Sequence, residues 1–215
     1  MNQDSVNTVS LTNRGAYAIL SMNRPDELNC LSESMLDGLE EAVLVFESWK
    51  DLRALVLTGS GDVFSVGADL KTIASLDAAS AREFSRRGQR LMARLCRSDA
   101  VTIAAIDGYC LGGGLDLALS CDLRYATSRS SFQHPGVRRG IITGWGGSVR
   151  LPRLIGKDAA RRYFITAERM SATDALRLGL LNGVVDDALL SASTVAATIG
   201  ANWSAGQIAA AREAI

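Results

Sequence analysis

The chain has 215 residues, enough to bury one sizeable core. Its 47% hydrophobic and 21% charged content matches a globular protein, not a disordered or fibrous one. Basic and acidic residues balance at 23 each, and the bases are dispersed apart from Arg86-Arg87, Arg138-Arg139 and Arg161-Arg162, so no nucleic-acid partner is expected.

In chain order, residues 6–11 and 16–22, separated by Thr12-Asn13-Arg14-Gly15, predict a β-hairpin. Asn23-Arg24-Pro25-Asp26 breaks its second strand. Ser32 is a good N-cap for a helix carrying Leu36, Leu39, Val43 and Phe46 at spacings of three and four. Residues 54–57 predict a short buried strand, ended by Gly59 and Gly61. A second long helix is expected from residue 78 to 96, with Phe84, Leu91 and Leu95 among its apolar positions. Residues 101–106 then predict a buried strand running straight into a glycine turn. Residues 123–126 read as another strand and 154–165 as helix after a break around Gly156. Ser171 caps a short helix, with Asp174 in the reciprocal capping position. Residues 188–215 are alanine-rich and predict helix with no core of its own, which divides the chain into a body (1–187) and a helical C-terminal region (188–215). Alternating strands and helices argue for an α/β fold.

The four cysteines, Cys30, Cys96, Cys110 and Cys121, form no C-x-x-C pair and read as reduced thiols among apolar neighbours, in keeping with a cytoplasmic protein. His134 is the only histidine, which argues against a histidine-based metal site. The polar residues 2–5 lack the charged and apolar regions of a signal peptide, and no apolar run approaches a membrane span.

The most informative stretch is Gly112-Gly113-Gly114-Leu115-Asp116. Read alone, three glycines make a tight turn, and no G-x-G-x-x-G follows a strand to suggest a dinucleotide loop. Read as the start of a helix, they remove every Cβ where free N–H groups and the helix dipole favour negative charge. Asp116 then stands at the rim of an anion-stabilising site, an arrangement suited to an oxyanion beside a proton-transfer group. Residues 62–70 repeat the pattern: Gly67 lets a backbone N–H face outward, and Asp69 can cap the next turn. Amides at Ala68 and Gly113 converging on one carbonyl oxygen would form an oxyanion hole, each donor worth about 2.7–4 kcal/mol in measured cases.

Taken together these segments resemble the crotonase superfamily, the enoyl-CoA hydratases and isomerases. The resemblance runs from about Val6 to Val185. It includes Asn23-Arg24-Pro25 with Leu28-Asn29-Cys30-Leu31, Phe64-x-x-Gly67-Ala68-Asp69-Leu70, Gly108-x-x-Leu111-Gly112-Gly113-Gly114, Cys121-Asp122-Leu123-Arg124, and Gly146-Gly147 followed by Leu151-Pro152-Arg153. It implies a spiral of ββα units with C-terminal helices, shortened here, holding an acyl-CoA thioester and needing no cofactor beyond the coenzyme A of the substrate. The oxyanion hole maps onto the N–H groups of Ala68 and Gly113. The CoA nucleotide maps near Glu27, Leu28, Val66, Asp69 and Leu70, and Gly112, Pro135 and Gly136 also line the substrate. Arg24 is either a phosphate contact or a solvated turn residue. A homotrimer, or a dimer of trimers, follows from the resemblance as well.

The sequence departs from the family where the chemistry is expected. Hydratases carry two glutamates; the first maps to Asp116, one methylene shorter, and the second to Gly136. A one-methylene retreat moves the acid by about 1.5 Å, a shift that can cost on the order of a hundredfold in rate. Thr143 replaces a proline common before Gly144. Three readings follow. Asp116 acts alone in an enolate reaction, with the space at Gly136 holding water or an anion; His134 or Tyr109 substitutes for the lost acid; or the protein binds acyl-CoA without turnover. Trp145 either lines the acyl tunnel or only packs. In the family, C-terminal helices cover the site and supply a base to CoA. Here residues 201–215 offer one helix, with Arg212 as its only base.

Overall fold

A computed structural model describes residues 8–214. Val6 and Asn7 at the start of the predicted hairpin, the polar residues 2–5 and Ile215 lie outside them. Strands β1 (Val9–Asn13) and β2 (Tyr17–Met22) form the expected antiparallel hairpin, with Asn13 Oδ1 accepting from the Gly15 N–H at 2.7 Å to shape the turn. A 3-10 turn over Pro25–Glu27 leads to α1 (Glu33–Ser48), capped by Ser32 through the Met35 N–H. All four apolar positions named for α1 are buried.

The body then winds three times through the same motif, in which a long strand, a short strand and helical structure follow one another. The first winding is β3 (Ala54–Gly59), β4 (Val63–Ser65), α2 (Leu70–Ser75) and α3 (Ala78–Cys96). The second is β5 (Val101–Ile106), β6 (Tyr109–Leu111) and α4 (Gly113–Leu119). The third is β7 (Leu123–Thr127), β8 (Ser131–Gln133), a 3-10 turn over Pro135–Arg139, α5 (Gly147–Ile155) and α6 (Lys157–Thr166). The chain finishes with β9 (Met170–Ser171), α7 (Ala172–Arg177), β10 (Gly183–Val185), α8 (Ala188–Asn202) and α9 (Ala205–Glu213). The long strands form a six-stranded sheet in the order β1-β2-β3-β5-β7-β10, parallel apart from the first pair. The short strands form a second sheet, β4-β6-β8-β9.

The short sheet escapes sequence reading because three residues carry no usable periodicity. Its presence corrects one expectation. The strand at Val101–Ile106 does not run into the glycine turn; Asp107-Gly108 turns the chain first, and β6 intervenes. Helix α5 likewise begins at Gly147, ahead of the expected start at 154, and Gly156 separates it from α6.

Strands β3 and β5 are covered on both faces, which is why they read as continuous apolar runs. One face packs against α1, α3 and the short sheet, with Leu20, Leu36, Leu57, Phe64 and Phe132 in one contiguous core. The other face meets α8 through Ala188, Ala192 and Ala196, a stripe of small residues every fourth position against Ala54, Val56, Ile103 and Ala105. Residues 188–202 therefore pack as part of the body, although they carry no core of their own. Arg212 on α9 donates to the carbonyls of Ser98 and Ala100 and pairs with Asp122, which also accepts from the Thr102 N–H at 2.7 Å. Among the described residues, no helix is long and apolar enough to cross a membrane.

Candidate active site

The two glycine bends, 46 positions apart in sequence, meet in space. Gly67 has φ +90°, a conformation that favours glycine, and a Cβ there would lie 2.5 Å from Gly113 N and 2.7 Å from the Leu111 carbonyl oxygen. A Cβ on Gly113 would stand 3.3 Å from Ala68 N. Since a Cβ lies about 2.5 Å from its own nitrogen, the amide nitrogens of residues 68 and 113 are within about 6 Å of each other, close enough for one oxygen to accept from both. Neighbouring groups are committed: Gly67 N–H donates to Ser65 Oγ at 3.1 Å, and Gly112 N–H to the Gln133 carbonyl at 2.8 Å. Gly113 is the first residue of α4, so its N–H has no intrahelical acceptor.

Asp116 lies one turn into α4 and is 1% exposed. The Thr143 hydroxyl donates to its Oδ2. Its Oδ1 has no hydrogen-bond partner and stands 3.6 Å from His134 Nε2. Burial pushes the Asp116 carboxyl up from its ordinary 3.8 to about 6, against the pull of the Thr143 hydroxyl, the Arg150 charge and the amides of Trp145 and Gly147. Burial lowers His134 to about 4, so its imidazole is neutral at neutral pH.

The residues mapped to the CoA side also come together. Ala68 bridges to Leu31, Val66 N–H donates to the Leu28 carbonyl at 3.2 Å, and Ser65 Oγ to that of Asn29 at 2.7 Å. Leu28 and Asn29 are both left-handed, at φ 54° and 47°. Buried Asn29 holds this turn by donating to the Val63 and Ser60 carbonyls and accepting from Arg24 N–H. Leu28 and Leu70 present exposed apolar side chains, each 48% exposed, on the two adjoining segments. Asp69 caps α2 as expected, and the hydrogen bonds it accepts from Lys71 and Thr72 hold its carboxyl below the usual range. Arg24 pairs loosely with exposed Glu27 at 3.4 Å, and its Nε is buried without a partner.

Several residues behave differently from expectation. Gly136 does not open a space: a Cβ there would meet the Ile141 carbonyl oxygen at 2.7 Å, so backbone closes over the position mapped to the second glutamate. Its neighbour Pro135 opens the adjoining 3-10 turn, half-buried. Arg212 is engaged with its own core, as described above. Tyr109 is 41% exposed beneath the Arg169 guanidinium, 5.2 Å from the ring centre. Cys96 is exposed and Cys30 only half-buried, so two of the four thiols are not core residues; burial pushes Cys121 up to about 12. Thr143 was legible only as a missing proline, with nothing local to indicate its hydroxyl contact. Trp145 is buried against Phe84, ring centres 5.2 Å apart, and a Cβ on Gly113 would come within 2.6 Å of its ring, so it packs directly beside the second glycine bend.

Repeated ββα windings, with two glycine bends juxtaposed above a buried carboxylate, define a protein of the crotonase fold. Residues 12–214 match the enoyl-CoA hydratase/isomerase family, and the chain belongs to that family of lyases and isomerases. It is 37% identical over 182 residues to the short-chain-enoyl-CoA hydratase of Clostridium acetobutylicum, covering 84% of this chain and 70% of that one. It is 40% identical over 169 residues to the crotonyl-CoA hydratase of Syntrophomonas wolfei, covering 78% and 65%. Among solved structures, DspI of Pseudomonas aeruginosa matches with a TM-score of 0.89 at 36% identity, over 96% of this chain and 85% of that one. An enoyl-CoA hydratase from Bacillus anthracis matches with a TM-score of 0.86 at 33% identity, over 91% and 77%.

Proposed function

We propose that this chain binds an acyl-CoA thioester with its carbonyl oxygen between the amides of Ala68 and Gly113, and that Asp116 is the acid/base of the reaction. The observation that carries this reading is the close approach of Gly67 to Gly113, which brings two main-chain donors within reach of one oxygen three residues before a buried carboxylate. Hydration of an enoyl-CoA is then a single-carboxylate reaction. Ionised Asp116 takes a proton from water as the oxygen adds to C3, the two amides hold the enolate oxygen, and the same proton passes from Asp116 to C2. No second carboxylate is needed, which suits the closed backbone at Gly136. The CoA nucleotide lies along residues 27–28 and 66–70. Trimeric assembly and a cytoplasmic location belong to the same proposal and rest on the family resemblance.

Incubation with a mixed panel of CoA esters followed by mass spectrometry tests the reading. A gain of water on an enoyl-CoA is expected. Loss of carbon dioxide or release of free CoA would replace hydration with another enolate reaction. No mass change alongside measurable acyl-CoA affinity would leave a binding protein, and no affinity at all would sink the proposal. A second expectation concerns pH. Because the base is the ionised form of a carboxyl raised to about 6, kcat/KM falls as pH drops through about 6. An acidic limb near pH 4 would instead indicate a carboxylate in ordinary solvent.

A further inference from the structure

The region around Asp116 holds an unresolved account of hydrogen bonds. Seven buried side-chain polar atoms lack a partner among the described residues, and three of them are Asp116 Oδ1 and the two ring nitrogens of His134. Buried polar groups are nearly always paired, so three orphans side by side call for an explanation. Both side chains are almost wholly enclosed, at 1% and 5% exposure. The imidazole is stacked on Phe164 of α6, ring centres 4.9 Å apart and planes 19° from parallel, which sets the plane of the ring. Gly147 closes the other side. A Cβ there would overlap Asp116 Oδ1 and stand 2.8 Å from His134 Nε2, so nothing larger than glycine fits against the pair.

A neutral imidazole carries one N–H, and burying that donor without an acceptor incurs its full desolvation cost. Oδ1 of Asp116 faces Nε2 and, the pull of the Trp145 and Gly147 amides on the carboxyl aside, is the acceptor left without a side-chain partner. Their 3.6 Å separation is longer than a hydrogen bond, and a closing of about 0.6 Å makes one. We propose that His134 is a positioning residue: as the Nε2–H tautomer it donates to Asp116 Oδ1 while Thr143 donates to Oδ2, so the carboxylate is held at both oxygens. The approach of the two side chains is geometric and independent of any activity; the consequence of their hydrogen bond for turnover rests on the role proposed for Asp116. The other ionisable groups facing Asp116 are Arg150 on α5 and Cys110 on β6, and burial keeps the Cys110 thiol protonated.

His134 is the only histidine, so imidazole nitrogen NMR of the full chain reports one ring. The expected spectrum has Nε2 protonated and Nδ1 bare at neutral pH, with both shifts stepping as Asp116 titrates and no step in Asp116→Asn. An Nδ1–H tautomer, protonation of the ring near its ordinary pH of about 6.5, or identical titrations in both proteins would overturn the proposal. Kinetics supply an independent arm. His134→Leu removes the donor and is expected to move the acidic limb of kcat/KM up by about one pH unit with KM little changed. His134→Gln, whose amide can donate, is expected to restore it. A limb unmoved in His134→Leu also overturns the assignment. If the native chain converts no CoA ester, the functional proposal fails while the NMR result still decides His134.

Discussion

Asp116→Asn is expected to lower kcat by about 10²–10⁴-fold while leaving acyl-CoA affinity within about threefold, because in the proposed function the carboxylate handles protons and the ester is held by the two amides and the CoA contacts. Unchanged turnover would remove Asp116 from the chemistry. The same substitution should stabilise the fold, in a pH-dependent way. The folded-state carboxyl sits at about 6, against an ordinary 3.8. A group raised on folding contributes stability that is fully present below the unfolded value and is lost as pH rises through the folded one. Ionised at neutral pH, Asp116 therefore costs about 3 kcal/mol. Asparagine keeps an acceptor for the Thr143 hydroxyl, carries no charge at any pH, and turns its NH2 to His134, whose neutral ring accepts at Nε2 by moving its proton to Nδ1. Melting temperatures of the two proteins should nearly coincide at about pH 4 and separate by several degrees at about pH 8, with the variant higher. An offset independent of pH would refute burial as the source of the shift.

Gly67→Ala is expected to reduce kcat by about 10²–10³-fold and to weaken acyl-CoA binding, through loss of the paired donors. The methyl would enter the gap between the bends, 2.5 Å from Gly113 N, with backbone rather than a flexible side chain in its way. The φ of +90° adds a conformational cost of about 1–3 kcal/mol. Gly15→Ala separates the two effects. Gly15 has φ +81° in the hairpin turn and nothing within 4 Å of its added Cβ. That variant should lose some stability with kcat intact. Equal kinetic losses in both variants, or none in Gly67→Ala, would remove the bends from catalysis.

Elements long enough to display a period were legible in the sequence. The α1 stripe of Leu36, Leu39, Val43 and Phe46, the helix Ala78–Cys96 and the strand Val101–Ile106 lie where spacing and capping put them. The three-residue strands were not legible, because their pairing partners lie at least 20 residues away. Helix α8 was visible as alanine-rich helix, but not as the cover of a sheet face. Small residues signal helix propensity locally, and become a packing surface only when a sheet is brought against them.

The candidate site divides along the same line. Sequence alone determined that glycines at 67 and 112–114 free the backbone, that a carboxylate follows three residues after Gly113, and that the ordered motifs are those of the crotonase superfamily. The first two are properties of neighbouring residues that local chemistry is enough to read; the third is a resemblance to a known family. Only the tertiary structure decided that the two bends face each other, that Ile141 backbone closes over Gly136, and that Thr143 and His134 reach Asp116 from loops 27 and 18 positions downstream. Contacts between such distant segments arise from the winding of the ββα turns, which sets side chains against one another that no local pattern connects.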